Sequence, residues 1–348
     1  MENKGIILNI TDNPIYKDFF FKNDFVLNEL KTYPTIWRRR GEESKNSFSL
    51  SNKDMYEKTN ISGVKKDISD LLQKTFGIEN KELFGRKYEE AISGDGKEWK
   101  RITTLHSSSL IALLCFYSVS EEHPLSIGDY VFKESFFEVK TVVHDGHKSN
   151  MDVVLRGINK ETSEKVVLFL ESKFTEYLNC GKKGDISKAY NDEYKKLSLF
   201  DNPIENISFG NDGEFIYIKS NTPRKFPIYC GGIKQMLSHY IGVRNYATLK
   251  NVEHKNFKFA DNERILLGEI MFDFKGAIAN SSKKLENYKK VYSELAKKIN
   301  DNQTQIGLVN EVITYQDIFS GDFIKEEKIK QFYNLTTVLP KLNEYNKA

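Results

Sequence analysis

The sequence has few cysteines and almost no net charge. Its three cysteines in 348 residues are an odd number without a CxxC pair, so neither a zinc ribbon nor a disulfide framework is supported. The 52 basic and 49 acidic residues leave a formal charge of +3. Bulk charge therefore does not indicate a polyanionic partner, although a nucleic-acid enzyme can concentrate its positive charge in one cleft.

Long hydrophobic runs are also lacking. The N-terminal sequence, MENKGIILNITDN, has no apolar stretch as long as that of a signal peptide. The longest apolar run, near Leu110–Tyr117, is too short to span a bilayer. We therefore expect a cytoplasmic protein that does not insert into a membrane.

The composition is that of a chain that folds around a core. Hydrophobic residues make up 39% and charged residues 29%, and 24 Phe and 18 Tyr supply large apolar side chains. The length allows one large domain with a substantial appendage. We expect a mainly helical region over residues 1–92, a core over residues 93–280, and a helix–strand–helix extension over residues 281–348 that packs on the core.

Apolar spacing predicts several helices. One amphipathic helix carries its apolar residues at helical intervals, namely Ile61, Val64, Ile68, Leu71, Leu72 and Phe76. A longer helix is predicted from about Lys97 to Ser118, and its second half, LIALLCFY, is apolar all round, which is typical of a helix under a sheet. Later helices are predicted over Ile186–Leu199 (with Asp185 as N-cap), Gly232–Val243 and Lys283–Ile299.

Three strands are predicted in quick succession in the middle of the chain. Ser135–Val143 leads through a turn with an Asp-Gly pair, a strong hairpin signal, to Asn150–Arg156. Val166–Phe174 is continuously apolar until it ends in charges, as expected for a central strand buried on both faces. Further strands are predicted over Glu214–Ile218, Ile265–Phe274 and Ile306–Tyr315. The fold class is therefore α/β, with a mixed central sheet flanked by helices.

Two acids and a lysine occupy the charged ends of these buried strands. Asp152 interrupts an apolar strand, and Glu171 and Lys173, two residues apart on the next strand, project to the same face. Eighteen residues separate Asp152 from Glu171, enough for a turn and a returning strand. Two converging carboxylates are costly to bury unless a cation lies between them. Magnesium prefers oxygen ligands and needs only one or two carboxylates.

This pattern resembles the PD-(D/E)XK nuclease superfamily, which includes many type II restriction endonucleases. Asn150-Met151-Asp152 matches the first half of the motif, with Met151 where proline is usual, and Glu171-Ser172-Lys173 matches the second. The preceding helix and the order of strands also match, over roughly residues 93–245. The resemblance implies a restriction-endonuclease-like core and Mg²⁺-dependent cleavage of DNA, with Mn²⁺ as a substitute. Leu105–Ser109 and Leu170–Phe174 resemble one branch of restriction endonucleases, which suggests a restriction or antiviral defence system.

The resemblance also implies roles for individual residues. Asp152 and Glu171 would be metal ligands, with the carbonyl of Ser172 as a third. Lys173 would orient or deprotonate the attacking water, or stabilise the negative charge that develops on the phosphate.

The superfamily often adds an acid from the helix before the sheet. Glu98 fits this role as a catalytic and metal-binding residue, because it lies on the predicted inward-facing stripe of that helix. The stripe also contains Ile102, Leu105 and Ser109. Weaker alternatives are Glu89 and Glu90.

A second D…ExK pattern exists in the same region. Asp129 followed by Glu138-Val139-Lys140 has the same spelling, but Asp129 lies in a turn and the strand of Glu138 is less apolar. We therefore prefer the Asp152 and Glu171 pair and keep Glu138 as an extra acid near the site.

The helix after the third strand begins with Gly231-Gly232. Its free backbone amides could hold a phosphate, with Lys234, Gln235 and His239 on the polar face as substrate-binding residues. An ordinary amphipathic helix with glycine packing explains the pattern equally well.

The expected partner is double-stranded DNA, and the resemblance allows a homodimer. Basic runs that could contact the DNA backbone are Arg38-Arg39-Arg40, Lys182-Lys183 and Arg224-Lys225, although each could be a solvated charge run. Two alternatives stay open. The fold could serve nucleic-acid binding or assembly without cleavage, or the same chemistry could act on RNA or damaged DNA.

Overall fold

A computed structural model describes the chain between residues 61 and 335. Residues inside this range that it does not describe are 95–97, 99–101, 103–106, 145–146, 180–182, 187–189, 196, 198–203, 212–215, 224–226, 250–251, 259, 261, 276–279, 302–305 and 334. Most of the predicted helical region 1–92 and three basic residues of interest, Lys182, Arg224 and Lys225, therefore lie outside the described residues.

The described part contains eight α-helices and eleven strands. The helices are α1 (Ile61–Phe76), α2 (Lys81–Ala91), α3 (Ser108–Phe116), α4 (Asn191–Lys195), α5 (Cys230–Leu249), α6 (Ser281–Asn300), α7 (Tyr315–Phe319) and α8 (Glu327–Tyr333). The strands are β1 (Leu125–Ile127), β2 (Tyr130–His144), β3 (His147–Asn159), β4 (Lys165–Lys173), β5 (Lys183–Asp185), β6 (Ile207–Asn211), β7 (Ile216–Ser220), β8 (Val252–Glu253), β9 (Arg264–Met271), β10 (Ile306–Leu308) and β11 (Ile313–Thr314). None of the described helices is long and apolar enough to cross a membrane.

The described residues form two compact units. The first contains residues between 61 and 118 and between 315 and 335, and the second those between 119 and 275 and between 280 and 314. These divisions differ from the predicted boundaries after residues 92 and 280. Helix α6 and strand β10 belong to the sheet unit, because Ile306 of β10 pairs with Ile265 of β9.

The first unit is helical. Helix α1 buries Ile68, Leu72 and Phe76 of its predicted apolar stripe, and α2 is capped by Asn80, whose side chain accepts a hydrogen bond from Leu83 N at 3.0 Å. The prediction of one helix from Lys97 to Ser118 is wrong. Ser107 adopts extended backbone angles, and its Oγ accepts from Leu110 N, so a new helix, α3, begins at Ser108. A serine side chain that caps the following turn offers the backbone this alternative to a continuous helix.

A mixed sheet is the centre of the second unit. Its strand order is β1-β2-β3-β4-β9-β10, with β8 beside β2 and β11 beside β9. Strands β2, β3 and β4 are antiparallel, whereas β9 runs parallel to β4 and β10 parallel to β9. Strand β4 is buried from Val166 to Lys173, which confirms the predicted central strand. The α/β class and the mixed sheet are thus confirmed.

Helix α5 lies against this sheet. A Cβ atom at Gly242 would collide with Thr141 Oγ1 of β2, so the helix axis comes close to the strand only because this residue is glycine. Asn245 Nδ2 donates to the carbonyls of Val142 and Val143 at 3.1 and 2.9 Å, which fixes the other end of the contact. The helix is longer than the predicted Gly232–Val243.

A second sheet is inserted between β4 and α5, in the order β5-β7-β6. Asp185 was predicted to cap a helix over Ile186–Leu199, but it ends β5 and pairs with Tyr217 of β7. In the described part of that range the α-helix is α4 alone. The short edge strand β5 forms by pairing with a strand that is distant in sequence, and local helix propensity does not predict such a contact.

Candidate active site

Asp152 and Glu171 lie side by side on neighbouring strands. The β3–β4 register pairs Val153 with Leu170, so the next residues in line are Asp152 and Glu171. Asp152 Oδ2 accepts a hydrogen bond from Ser172 N at 2.7 Å. The juxtaposition predicted from sequence spacing is therefore present, and Ser172 supports it through its amide. A metal-ligand role for the Ser172 carbonyl stays a prediction.

Three side chains surround the Glu171 carboxylate, which is 3% exposed. Lys173 Nζ and Gln235 Nε2 both donate to Oε1, the latter at 2.6 Å. His239 Nε2 lies 2.8 Å from Oε2, at angles outside the hydrogen-bond range. Phe169 of β4 contacts Tyr246 of α5, so Glu171, two residues further along, faces the same helix.

The structure places Gln235 and His239 against Glu171. Their predicted role in binding substrate stays a prediction. His239 is buried, and its Nδ1 contacts Ser149 Oγ of β3. This chain of contacts links β3, α5 and β4, and it fixes the orientation of the acid. Lys234 lies on the half-buried side of α5, where its carbonyl accepts from Tyr194 at 2.6 Å; a role for its side chain stays a prediction.

Glu171 and Lys173 each stabilise the charged form of the other. Burial by itself disfavours the Glu171 carboxylate, but Lys173 and His239 outweigh it and lower the pKa of Glu171 to about 2. Burial by itself disfavours the Lys173 ammonium, but the acids Glu171 and Glu176 and the Tyr229 hydroxyl raise its pKa well above the ordinary value. Lys173 is therefore a protonated, 5% exposed ammonium, which favours charge stabilisation over proton abstraction as its role.

The pKa of Asp152 shifts in the opposite direction to that of Glu171. Burial and then the neighbouring charge of Glu171 raise its pKa well above the ordinary value, and Glu138 adds to the effect. The residue is nevertheless partly exposed, unlike Glu171. Of the two acids, Asp152 is therefore the one that a cation from solvent can reach first.

Glu269 is a buried acid that the sequence reading did not identify. It pairs in register with Glu171 on β9, is 0% exposed, and accepts from Tyr288 Oη at 2.6 Å through Oε2. Its other oxygen, Oε1, has no hydrogen-bond partner among the residues that the structure describes. Burial raises the pKa of Glu269 to about 8, against the opposing charge of Lys173. The signal was available, since Glu269 is a lone acid in the apolar strand RILLGEIM, as Asp152 is in its own strand.

The rival D…ExK pattern is not assembled. Asp129 lies in the turn before β2, at the end of the strand where Tyr130 pairs with Asn159. Glu138 instead lies between the pairs that flank Asp152, and has φ 53°. A non-glycine residue rarely adopts this angle, and such strain is concentrated at functional sites. Glu138 is thus an additional acid beside Asp152, as the sequence reading allowed.

The two other sequence features have different outcomes. Glu98 belongs to the first unit, where its Oε2 lies 3.5 Å from Ser109 Oγ, so its role as a fourth member of the site stays a prediction.

At the start of α5, the amides of Gly232 and Ile233 both donate to the carbonyl of Tyr229. A Cβ at Gly232 would collide with the rings of Tyr229 and Tyr288. These contacts favour glycine packing over a phosphate site.

The carboxylate oxygens at the site are the type of ligand that magnesium prefers. Within the described residues, no three His, Cys, Asp or Glu side chains are grouped so as to hold a metal ion. Magnesium, however, needs only one or two carboxylates and retains several waters. Asp152 and Glu171 supply two such carboxylates, and the register places Glu138 and Glu269 on either side of them. Among the described residues, Glu269 Oε1 is also a buried polar atom without a hydrogen-bond partner, and such atoms are rare outside functional sites.

Comparison with models of known protein families, with curated proteins and with solved structures finds no match to this chain.

Proposed function

We propose that the protein is a magnesium-dependent nuclease of the PD-(D/E)XK type that hydrolyses phosphodiester bonds in DNA, as part of a restriction or antiviral defence system. The observation that carries the proposal is the meeting of Asp152, in the middle of β3, with Glu171 and Lys173 at the end of the neighbouring strand β4. Three antiparallel strands, a helix and a parallel fourth strand support the restriction-endonuclease-like core that the motif implies.

The residues divide the chemistry between them. Magnesium, when bound by Asp152 and Glu171, would polarise the phosphate and lower the pKa of the attacking water. Lys173 would place its ammonium beside the phosphate oxygens on which negative charge develops. Gln235 and His239 would keep Glu171 in one orientation, so that little of the binding energy is spent on ordering it.

Side chains on the inserted sheet are of the kind that binds a polyanionic substrate. Lys183 and Lys219 lie directly opposite each other on β5 and β7, so this sheet presents two lysines at one place. The ring of Tyr217 lies 4.4 Å from Lys183 Nζ. Lys183 also pairs with Asp185 at 2.9 Å, and a phosphate would have to compete with that acid. Together the lysines and the aromatic ring offer contacts for a nucleic-acid backbone.

Replacing both lysines should weaken binding without changing chemistry. For Lys183→Ala/Lys219→Ala we expect DNA affinity to fall several-fold at 0.1 M salt, and the slope of log K against log salt to become shallower by about 2, because each phosphate contact contributes close to one. Fluorescence anisotropy with a labelled duplex measures both. Lys283→Ala, on the exposed face of α6, is the matched control. An unchanged slope in the double variant would remove this sheet from the substrate path.

A panel of substrates tests the proposed function. The wild-type protein should cleave double-stranded DNA with Mg²⁺ or Mn²⁺ and should be inactive with a chelator. Single-stranded DNA, damaged DNA and RNA, each labelled at one end, are the comparison substrates. Cleavage of RNA alone would keep the site and change the substrate, whereas no metal-dependent cleavage of any of them would contradict the proposal.

A second candidate function has one observation in its favour. Protein side chains already contact both oxygens of Glu171, as in a site kept for structure alone. A nucleic-acid-binding or assembly protein with a nuclease-like fold would have this property. It would bind DNA in the anisotropy experiment but show no divalent-metal binding and no cleavage.

A further inference from the structure

A cation bound at Glu171 would meet an ammonium that already occupies the same carboxylate. Lys173 Nζ donates to Oε1, and Gln235 shares that oxygen. The ammonium and a divalent cation repel each other at such short range. Of the three groups around the carboxylate, Lys173 has the strongest reason to move when Glu171 becomes a ligand.

Lys173 needs an acceptor inside the protein when it moves. Only 5% of the residue is exposed, so its ammonium cannot simply exchange Glu171 for water. Glu269 lies on the neighbouring strand directly opposite Glu171, and its buried Oε1 lacks a hydrogen-bond partner within the described part of the chain. Tyr288 donates to the other oxygen, Oε2, at 2.6 Å and leaves Oε1 unused. The unused oxygen of Glu269 is therefore a prepared second acceptor.

We propose that Glu269 is a positioning residue that accepts the Lys173 ammonium when Glu171 turns to a divalent cation. The inference rests on the proposed function. It assigns to Glu269 the task of keeping Lys173 ordered and charged beside the site in the metal-bound protein. It also gives a reason for an acid with one unpartnered oxygen in the interior of β9.

Glu176 is the alternative acceptor near Lys173. It is half-buried, and its Oε2 already accepts from Phe174 N at 2.7 Å. Asp152 is also near, but as a metal ligand it would be occupied in the same state. Glu269 differs from both in having a buried oxygen with no competing donor.

Calorimetric titration with Mn²⁺ alone tests the proposal without reference to activity. We expect Glu269→Gln to raise the Mn²⁺ dissociation constant by roughly ten-fold or more, as changes to residues behind metal ligands commonly do. The amide keeps one oxygen for Tyr288 and loses the acceptor for Lys173. Tyr288→Phe and Glu176→Gln, which leave that acceptor in place, should change the constant less than about two-fold. Glu269→Asp, which retracts the acceptor, should weaken binding in the same direction, and it serves if the amide variant does not fold.

The coupling between the two residues is the decisive part of the experiment. In a Lys173→Met background, which should bind Mn²⁺ at least as tightly as the wild type, Glu269→Gln should have no further effect. A ten-fold loss that persists without Lys173, or an equal loss in Tyr288→Phe, would overturn the proposal in favour of a purely structural role. Tight binding by wild type and unchanged binding by Glu269→Gln would overturn the inference alone. No binding by wild type would contradict the proposed function and the inference together.

Discussion

Lys173→Met is expected to lower the rate constant for phosphodiester cleavage by about 10²–10³-fold, the usual cost of removing one preorganised donor to a developing negative charge. The reason is the state of Lys173 in the structure. It is buried, and Glu171 and its other acidic neighbours keep it protonated, so it offers a fixed positive charge and no base. Because methionine leaves both carboxylates in place, metal affinity should be retained or improved.

Single-turnover cleavage of a labelled duplex at saturating Mg²⁺ measures this effect apart from binding and product release. Lys165→Met is the matched control, since Lys165 begins the same strand and is exposed. Its rate constant should equal that of the wild type. Cleavage by Lys173→Met at the wild-type rate would show that the ammonium of Lys173 plays no part in the chemistry.

Asp152→Asn is expected to abolish metal-dependent cleavage and yet to stabilise the metal-free protein at neutral pH. Burial and the charge of Glu171 raise the pKa of Asp152. The folded state therefore holds a proton that the unfolded state loses, and wild-type stability falls as the pH rises from the ordinary carboxyl pKa towards the raised one. Asparagine does not titrate and can still accept from Ser172 N. A gain of about 1–4 kcal/mol is the range found when neutral groups replace buried charges.

Urea unfolding in a chelating buffer at pH 5 and at pH 8 measures this prediction. The advantage of Asp152→Asn over wild type should grow with pH, and saturating Mg²⁺ should reverse the order because only the wild type binds it. Asp129→Asn, in an exposed turn, is the control for both properties. If Asp129→Asn lost cleavage and Asp152→Asn did not, the rival D…ExK pattern would be the correct one.

The central strands could be predicted because their apolar pattern directly indicates how they are buried. Continuous apolar residues from Val166 to Leu170 require burial on both faces. The Asp-Gly pair in the sequence predicted a hairpin, and β2 and β3 do pair antiparallel, with His144 opposite His147. The pairing of Asp152 with Glu171 then followed from strand length alone. Ser107 and Asp185 were misassigned because the backbone there follows a side-chain cap and a distant strand, respectively.

The sequence predicted which acids meet at the candidate site, but not which side chains contact them. The spacing along one strand places Glu171 and Lys173 together, but it carries no information about which side of α5 faces them. The contacts of Gln235 and His239 with Glu171 therefore could not be predicted, and the substrate role assigned to these residues stays a prediction. Glu269 was missed because β9 is separated from β4 by the inserted sheet and α5, and their parallel register is a tertiary property.

A calorimetric titration of Mn²⁺ into the wild-type protein and into Asp152→Asn and Glu171→Gln tests the proposed metal site most directly. We expect one or two divalent-metal sites in the wild type, and the loss of at least one of them in each variant, because the two carboxylates face the same ion. No heat of binding in the wild type, or equal binding in all three proteins, would contradict this proposal.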